Sequence, residues 1–289
     1  MKSTKVKLSD SLPLTCSRKG TCCFGNRVML NPWELKQLAS ANNISLGEFR
    51  DRHTKFGGIQ LKFNGKIGWA DKPACSQYIE DFGCSVHEGR PLACRLFPLG
   101  RQLQSGKANY IYQGNQFPCI EGGCSEVIDL PKLTVKEYLN GQATDQFEQA
   151  QDAYLEMMQN IADIAFELLL ETGLAESGDK KTISKWRKMA TESPTKIVER
   201  IGEEWMEALI LPNIENSISD SLTFVQKHND LLSMKIQKDM GGLKSLDDYH
   251  YASVLMMAMA LHLANSIGAN PEALANHWCD LAIGFGAME

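Results

Sequence analysis

Eight of the nine cysteines in this chain of 289 residues lie within the first 124 residues. A thiolate is a strong ligand for zinc and for iron, so many thiols in one short region indicate a metal site unless they form disulfides. The ninth cysteine, Cys279, stands alone, and we predict that it is a small buried apolar side chain without a metal role. The eight predicted metal ligands are Cys16, Cys22, Cys23, Cys75, Cys84, Cys94, Cys119 and Cys124.

Disulfide bonds explain this group of cysteines less well than a metal does. Residues 1–10 are polar and basic, and no apolar run of signal-peptide length follows them, which predicts a cytoplasmic protein. Thiols stay reduced in the cytoplasm, where clustered cysteines indicate metal binding or catalysis. The neighbours Cys22 and Cys23 also cannot be bridged without distorting the geometry of a disulfide.

The spacing of the cysteines bears on which metal they bind. Zinc sites commonly use Cys-x2–4-Cys pairs, and only the Cys119-x4-Cys124 pair comes near that spacing. Adjacent thiolates fit poorly on one tetrahedral zinc ion, whereas they can serve two irons of one cluster, and iron–sulfur clusters take four thiolates at irregular spacing. Eight thiols therefore predict two four-thiolate sites, or one cluster with a structural zinc ion. An iron–sulfur cluster is the preferred cofactor, and zinc or iron ions are the alternative.

The charge of the chain is distributed unevenly. Residues 1–124 hold 17 Lys and Arg against 9 Asp and Glu, and residues 125–289 hold 13 against 26, which gives the net charge of −5. A basic half often indicates nucleic-acid binding, but thiolate ligands would offset the positive excess here. No stripe of basic and aromatic residues supports a nucleic-acid interface, so we rank nucleic acid low as a partner.

Helix caps and apolar periodicity predict an α+β fold of two domains. Residues 1–130 are predicted to form a small, irregular, Cys-rich metal-binding domain with a β-hairpin and short helices. A tight hairpin turn is predicted at Asn64-Gly65, a further strand at Asn109–Tyr112, and helix starts after Asn31 and Ser45. Residues 131–289 are predicted to form a mainly α-helical bundle.

The C-terminal half shows helical periodicity along most of its length. One long helix is predicted from the cap Thr134 to Leu170, and a second from Ser193 towards Pro212. Two more helices are predicted to begin after Ser245 and Asn270. The apolar stretch 252–261 is too short to span a membrane, which predicts a buried core helix with gap-filling methionines and no membrane partner.

The densest motif, residues 84–98, reads Cys-Ser-Val-His-Glu-Gly-Arg-Pro-Leu-Ala-Cys-Arg-Leu-Phe-Pro. With Cys16-x5-Cys22-Cys23 and Cys75, it resembles the YkgJ-type cysteine-cluster family of zinc- or iron-chelating domains. That family combines an early Cys, a Cys-Cys pair, a mid-chain Cys and a Cys-x-x-His-x-x-Arg-Pro-x-x-Cys-Arg-x-Phe-Pro block. The resemblance covers about residues 14–100 and implies a metal-chelating module.

Four polar residues of this block are predicted to surround the metal. His87 is expected to hydrogen-bond a sulfur or Glu88 from outside the ligand set, because eight thiols are already available; the alternative is that it replaces a thiolate as a ligand. Arg90 and Arg95 are expected to pair with thiolates or with Glu88. The competing interpretation is a rigid Arg-Pro loop with no chemical role.

These observations leave three functions open. The first is a cytoplasmic metal-binding protein whose helical half binds an unidentified protein partner or substrate. A weaker resemblance to flagellin lysine-methylating proteins implies, as the second, a bacterial-type lysine N-methyltransferase that uses S-adenosylmethionine, although no Gly-rich nucleotide loop and no Cys-x3-Cys-x2-Cys motif accompanies it. The third is a structural zinc module in a scaffold. The sequence predicts no catalytic residue.

Overall fold

The computed structural model of the chain describes residues 4–13, 20–104, 107–112 and 132–289. Three of the predicted ligands, Cys16, Cys119 and Cys124, lie outside these residues. The chain divides into two compact units, the first made of residues 1–28, 36–55 and 60–148, the second of residues 29–35, 56–59 and 149–289. The domain boundary predicted at residues 130–131 falls at the edge of an undescribed segment and stays a prediction.

The strands of the chain form small antiparallel pairs. A three-stranded sheet has the order β1 (Thr4–Val6), β10 (Lys107–Tyr112), β9 (Leu99–Gln104), so the strand predicted at residues 109–112 is confirmed as the centre of this sheet. The two-stranded pairs are β2 (Ser11–Leu12) with β11 (Leu133–Thr134), β3 (Thr54–Lys55) with β4 (Gln60–Leu61), β5 (Phe63–Ile67) with β6 (Pro73–Cys75), and β7 (Tyr78–Ile79) with β8 (Gly83–Cys84).

The tight turn predicted at Asn64-Gly65 is wrong. Both residues lie inside β5, which pairs with β6 across a bulge. The chain reverses at residues 68–72 instead, where Ala70 takes a φ of 52°. A Cβ on Gly65 would lie 3.1 Å from the Cβ of Ala74 and 3.2 Å from its carbonyl oxygen, so the glycine permits close approach of two strands rather than a turn.

Four short helices belong to the N-terminal part of the fold, namely α1 (Pro32–Ala41), α2 (Leu46–His53), α3 (Leu92–Leu96) and α4 (Val135–Gly141). Both predicted caps are confirmed. The Asn31 side chain accepts from the Glu34 N–H at 3.0 Å, and the Glu34 carboxylate accepts from the Asn31 N–H at 2.9 Å. The Ser45 hydroxyl accepts from the Glu48 N–H at 3.2 Å. These bonds satisfy donors that have no partner inside a helix.

The single helix predicted from Thr134 to Leu170 is wrong in its middle. Its capping box of Thr134 with Glu137 is confirmed, but α4 ends at Gly141 and α5 (Asp145–Leu170) starts afresh. Between them Ala143 takes a φ of 50°, in the left-handed region, which breaks the helical hydrogen-bond ladder. Apolar residues recur at helical spacing on both sides, so the sequence pattern does not show the break.

Six further helices complete the chain: α6 (Lys181–Ala190), α7 (Pro194–Ile201), α8 (Glu203–Ile210), α9 (Ser221–Met240), α10 (Leu246–Ser266) and α11 (Pro271–Gly284). The helix predicted from Ser193 towards Pro212 is wrong as one element, because Gly202 interrupts it with a φ of 77° and a ψ of 162°. The starts predicted after Ser245 and Asn270 are confirmed. With the strand pairs, this mostly helical half confirms the predicted α+β class.

Helix α10 is the centre of the second unit and packs against α6, α7 and α11. Every residue from 252 to 264 is buried. Met256, Met257 and Met259 are fully buried, which confirms their predicted place in the core. None of the helices in the described ranges combines the length and the apolar character that a membrane span requires.

The buried histidines of the second unit take part in packing. Nδ1 of His228 lies 3.0 Å from the Tyr154 hydroxyl, and its Nε2 lies 2.9 Å from the Ala208 carbonyl oxygen. Burial lowers the pKa of His228 and of His262 to about 4. Both rings are therefore neutral at pH 7, as expected of core histidines.

Candidate metal centre

Five of the eight predicted ligands lie in described residues, on short elements of the first unit. Cys22 and Cys23 close a 3-10 turn, Cys75 ends β6, Cys84 ends β8 and Cys94 lies in α3. All five are partly buried free thiols. We call these five residues the thiol cluster.

Strand pairing carries distant parts of the chain to the thiol cluster. An antiparallel bridge between Phe24 and Ala74 places the Cys22-Cys23 turn beside the end of β6. The following hairpin, β7 with β8, sets Cys84 opposite Tyr78. Short ladders of two or three residues thus position the sulfurs, with little regular structure around them.

A left-handed glycine starts the Cys22-Cys23 turn. Gly20 has a φ of 75°, and a Cβ there would lie 2.4 Å from a ring carbon of Tyr78. The Tyr78 ring also packs against Phe24, with ring centroids 4.9 Å apart and planes at 63°. Glycine is therefore required at this position both for the backbone conformation and for the close approach of the ring.

The five thiols act on one another electrostatically. A hydrogen bond between Cys22 and Cys23 lowers the pKa of Cys22 and raises that of Cys23, which burial raises further. Burial first, and then the neighbouring Cys22 and Cys84, raise the pKa of Cys75 to about 11 and the pKa of Cys94 well above its ordinary value. Each thiolate formed here makes the next one harder to form. A bound cation would remove that repulsion.

Arg90 brings a positive charge to the thiol cluster. Its charge lowers the pKa of Cys94, against the larger effect of burial, which raises it. Its charge also lowers the pKa of Cys22, in the same direction as the hydrogen bond from Cys23. One terminal nitrogen of its guanidinium donates to Nε2 of His87 and the other to Oε1 of Gln142. Its buried Nε–H has no hydrogen-bond partner among the described residues. A buried donor without a partner is unusual in a folded protein.

Both ring nitrogens of His87 are engaged by neighbours in the same motif. Nε2 accepts from Arg90, and Nδ1 lies 3.4 Å from Oε1 of Glu88. The hydrogen bond from His87 lowers the pKa of Glu88. This arrangement supports a place for His87 outside the ligand set, which stays a prediction.

Arg95 fastens the motif to the segment that follows α4. The side chain is 6% exposed; its Nε donates to the Arg90 carbonyl at 2.9 Å, one terminal nitrogen donates to the Gln142 carbonyl at 2.7 Å, and the other donates to the Glu88 carbonyl. Its guanidinium carbon lies 4.1 Å from the centre of the Phe147 ring. The described contact of Arg95 with Glu88 is thus made to the backbone carbonyl.

Gly89 allows the motif to lie directly on α1. A Cβ at this position would be 2.6 Å from the Gln37 carbonyl oxygen and 2.7 Å from the Cβ of Ala41. A side chain here would collide with α1, so the glycine between Glu88 and Arg90 has a packing reason.

Sequence reasoning missed three residues of this arrangement: Tyr138, Gln142 and Phe147. The Tyr138 hydroxyl donates to the Arg95 carbonyl at 3.2 Å and to the Phe97 carbonyl. These three residues lie more than 40 positions after the residues of the motif that they contact. The local sequence around these residues shows a periodic apolar pattern, which indicates a helix but does not say which residues the helix contacts.

The donor set fits zinc or iron. Five thiols influence one another electrostatically near one arginine, and such a set of thiols with a nearby cation suits a thiolate-ligated metal. In residues 4–13, 20–104, 107–112 and 132–289, no three His, Cys, Asp or Glu side chains stand in a geometry that could hold an ion. The three other predicted ligands lie outside those ranges. The assignment of all eight cysteines as ligands stays a prediction.

Comparison with known proteins finds a family model that matches part of the chain. Residues 15–116 match the family model CxxCxxCC, described as "Putative zinc- or iron-chelating domain". No curated protein and no solved structure matches the chain, so the resemblance to flagellin lysine-methylating proteins stays a prediction. The family name spells Cys-x2-Cys-x2-Cys-Cys, whereas this chain carries Lys19 at the second of those positions. The match to a model of zinc- or iron-chelating domains over residues 15–116 nevertheless confirms the YkgJ-type resemblance.

Proposed function

We propose that this chain is a cytoplasmic metal-binding protein whose N-terminal cysteines hold an iron–sulfur cluster, or iron or zinc ions. We propose further that its helical half binds a protein partner or substrate. The observation that carries the metal proposal is the thiol cluster, in which five sulfurs from four elements between residues 22 and 94 influence one another's ionisation.

The local fold supports a metal as the organising element of this region. The thiols are carried by strands of two or three residues, a 3-10 turn and a helix of five residues, and such short elements contribute few hydrogen bonds of their own. In small metal sites the free energy of metal binding is also free energy of folding. A metal on the thiol cluster would therefore stabilise loops that secondary structure alone holds weakly.

The Cys22-Cys23 pair favours an iron–sulfur cluster over a single zinc ion. These neighbours are hydrogen-bonded to each other, and adjacent thiolates suit two irons of one cluster better than one tetrahedral ion. A cluster supplies one-electron transfer, whereas a zinc ion with four protein ligands supplies stability. Arg90, with its unsatisfied Nε–H, would hydrogen-bond a sulfur in either case.

X-ray absorption at the iron and zinc edges tests the ligand chemistry directly. We expect a first shell of sulfur at about 2.3 Å from the metal. An iron–sulfur cluster also gives a signal from iron–iron pairs. A zinc edge without that signal would identify the structural zinc alternative. A first shell made of nitrogen and oxygen would overturn the proposal.

A further inference from the structure

A groove runs between α5 and α11 in the second unit, well away in sequence from the cysteine motif. Its volume is about 550 Å³. Its polar rim is formed by Gln159, Asp163, Glu171 and His277. The apolar lining comes from Phe166 and Leu170 of α5 and from Leu274, Trp278, Leu281 and Phe285 at α11.

The apolar side of this groove is open to solvent at the end of α11. Phe285 is 71% exposed and Leu281 is 43% exposed. These two residues are four positions apart and therefore lie on one face of the helical turn. Large apolar side chains exposed together beside a groove indicate a binding site.

The two segments that line the groove are acidic, and Arg187 of α6 pairs with two of their carboxylates, those of Asp280 and Glu289. Residues 149–179 and 271–289, which contain all of its lining, hold ten Asp and Glu and no Lys or Arg. Asp163 and Glu167 of α5 and Glu171, which directly follows α5, are four positions apart, and none of them forms a salt bridge within the described residues. Like charges at this spacing repel one another, so cations from a partner would stabilise them.

We propose that this groove binds a basic amphipathic helix of a partner protein. The apolar face of that helix would cover Leu281 and Phe285, and its Lys and Arg side chains would pair with Asp163, Glu167 and Glu171. The inference rests on the proposed function, which gives the helical half a partner, and it adds the site and the chemical class of that partner.

The dimensions and the charge select this class of partner. From residue 274 to residue 285 the apolar side chains of α11 span three turns, roughly 16 Å at 1.5 Å per residue, which matches the i, i+3, i+4, i+7 anchors of a helix in a groove. The acidic rim repels nucleic-acid phosphates and anionic lipid headgroups. Two copies of this groove would also repel each other, which argues against self-association through it.

The test uses a dye-labelled synthetic helix made of Leu and Lys, with Leu at positions i, i+3, i+4 and i+7, and a matched peptide with Glu in place of Lys. Fluorescence anisotropy with the full chain should show saturable one-to-one binding of the Leu/Lys peptide. We expect roughly tenfold weaker binding of the Leu/Glu peptide, because charge complementarity sets the difference. Equal binding of both peptides would overturn the proposal.

Two pairs of substitutions locate the site. Asp163→Lys with Glu171→Lys, and separately Leu281→Asp with Phe285→Asp, should each weaken binding of the Leu/Lys peptide by roughly tenfold or more. The matched control, Glu199→Lys with Glu207→Lys, reverses two exposed charges on α7 and α8, outside the groove. It should bind like the wild type. If the control variant weakens peptide binding equally, the peptide is attracted to an acidic protein in general, and the groove is not its binding site.

Three further readouts separate the possible failures. Far-ultraviolet circular dichroism should show wild-type helicity in each variant, because the substituted side chains are exposed. Wild-type protein that contains metal but does not bind the Leu/Lys peptide contradicts the groove alone, whereas protein that binds the peptide without metal contradicts the proposed metal site alone. A wild-type dimer that Phe285→Asp dissociates would place a second copy in the groove and overturn the inference.

Discussion

Cys94→Ser is expected to lose at least about nine-tenths of the bound metal and to unfold the first unit. Cys94 shares an electrostatic environment with Cys22, Cys75 and Cys84, and a serine hydroxyl is a much weaker ligand than a thiolate for zinc or iron. Since binding free energies of thiolate metal sites reach roughly 10 kcal/mol, losing one ligand affects both metal content and folding. The amount of metal per chain measures the loss of the metal, and the resistance of residues 1–148 to proteolysis measures the unfolding. We expect the same two results for Cys22→Ser.

The matched control for this prediction is Cys279→Ser. Its sulfur is fully buried in the second unit and lies 3.9 Å from the Ile183 carbonyl oxygen. We expect metal content to stay at the wild-type level in this variant, with at most a small loss of stability. Full metal content in Cys94→Ser, or a clear loss of metal in Cys279→Ser, would contradict the assignment.

Arg95→Met should destabilise the first unit by about 3 kcal/mol or more. The substitution leaves the carbonyls of Glu88, Arg90 and Gln142 without the donor shown for them, and each buried unsatisfied group costs roughly 1–3 kcal/mol. Arg95→Lys should recover only part of this loss, because one ammonium cannot reproduce the planar fork or the stacking on Phe147. Urea unfolding gives the free energy, and the rate of metal transfer to a chelator, which should rise, reports on the site.

An exposed arginine provides the comparison for Arg95. Arg52 pairs with Glu48 at 2.9 Å, with side chains 65% and 36% exposed, and an exposed pair at this spacing contributes less than about 1 kcal/mol. Arg52→Met should therefore change neither the urea midpoint nor the metal-transfer rate appreciably. If Arg95→Met resembles Arg52→Met in both measurements, Arg95 does not fasten the motif.

Helix starts were predictable from the sequence, whereas breaks inside helices were not. The pairs Thr134 with Glu137 and Ser245 with Asp248 satisfy free backbone donors through bonds three residues apart, so a local pattern suffices to find them. The interruption at Ala143 depends on a backbone conformation that neighbouring apolar residues do not encode. The role of Gly65 could not be predicted either, because this glycine allows close contact with a strand that follows later in the chain.

The part of the candidate site that lies within one short stretch of sequence could be predicted. Residues 84–98 form a motif that is recognisable from residue types and spacing, and they lie within the residues that the family model matches. The contacts of Arg90 and Arg95 with Gln142 depend on how the chain folds back from a position about 50 residues later. No periodicity or motif in the intervening sequence specifies such a tertiary contact.

The most direct test is the content of iron, acid-labile sulfide and zinc per chain in protein purified without oxygen. If a metal organises the N-terminal region, the protein contains iron with an equal amount of sulfide or, in the alternative, iron or zinc without sulfide. The bound metal should be lost in Cys94→Ser and retained in Cys279→Ser. A fully folded protein that contains no transition metal under these conditions would contradict the account.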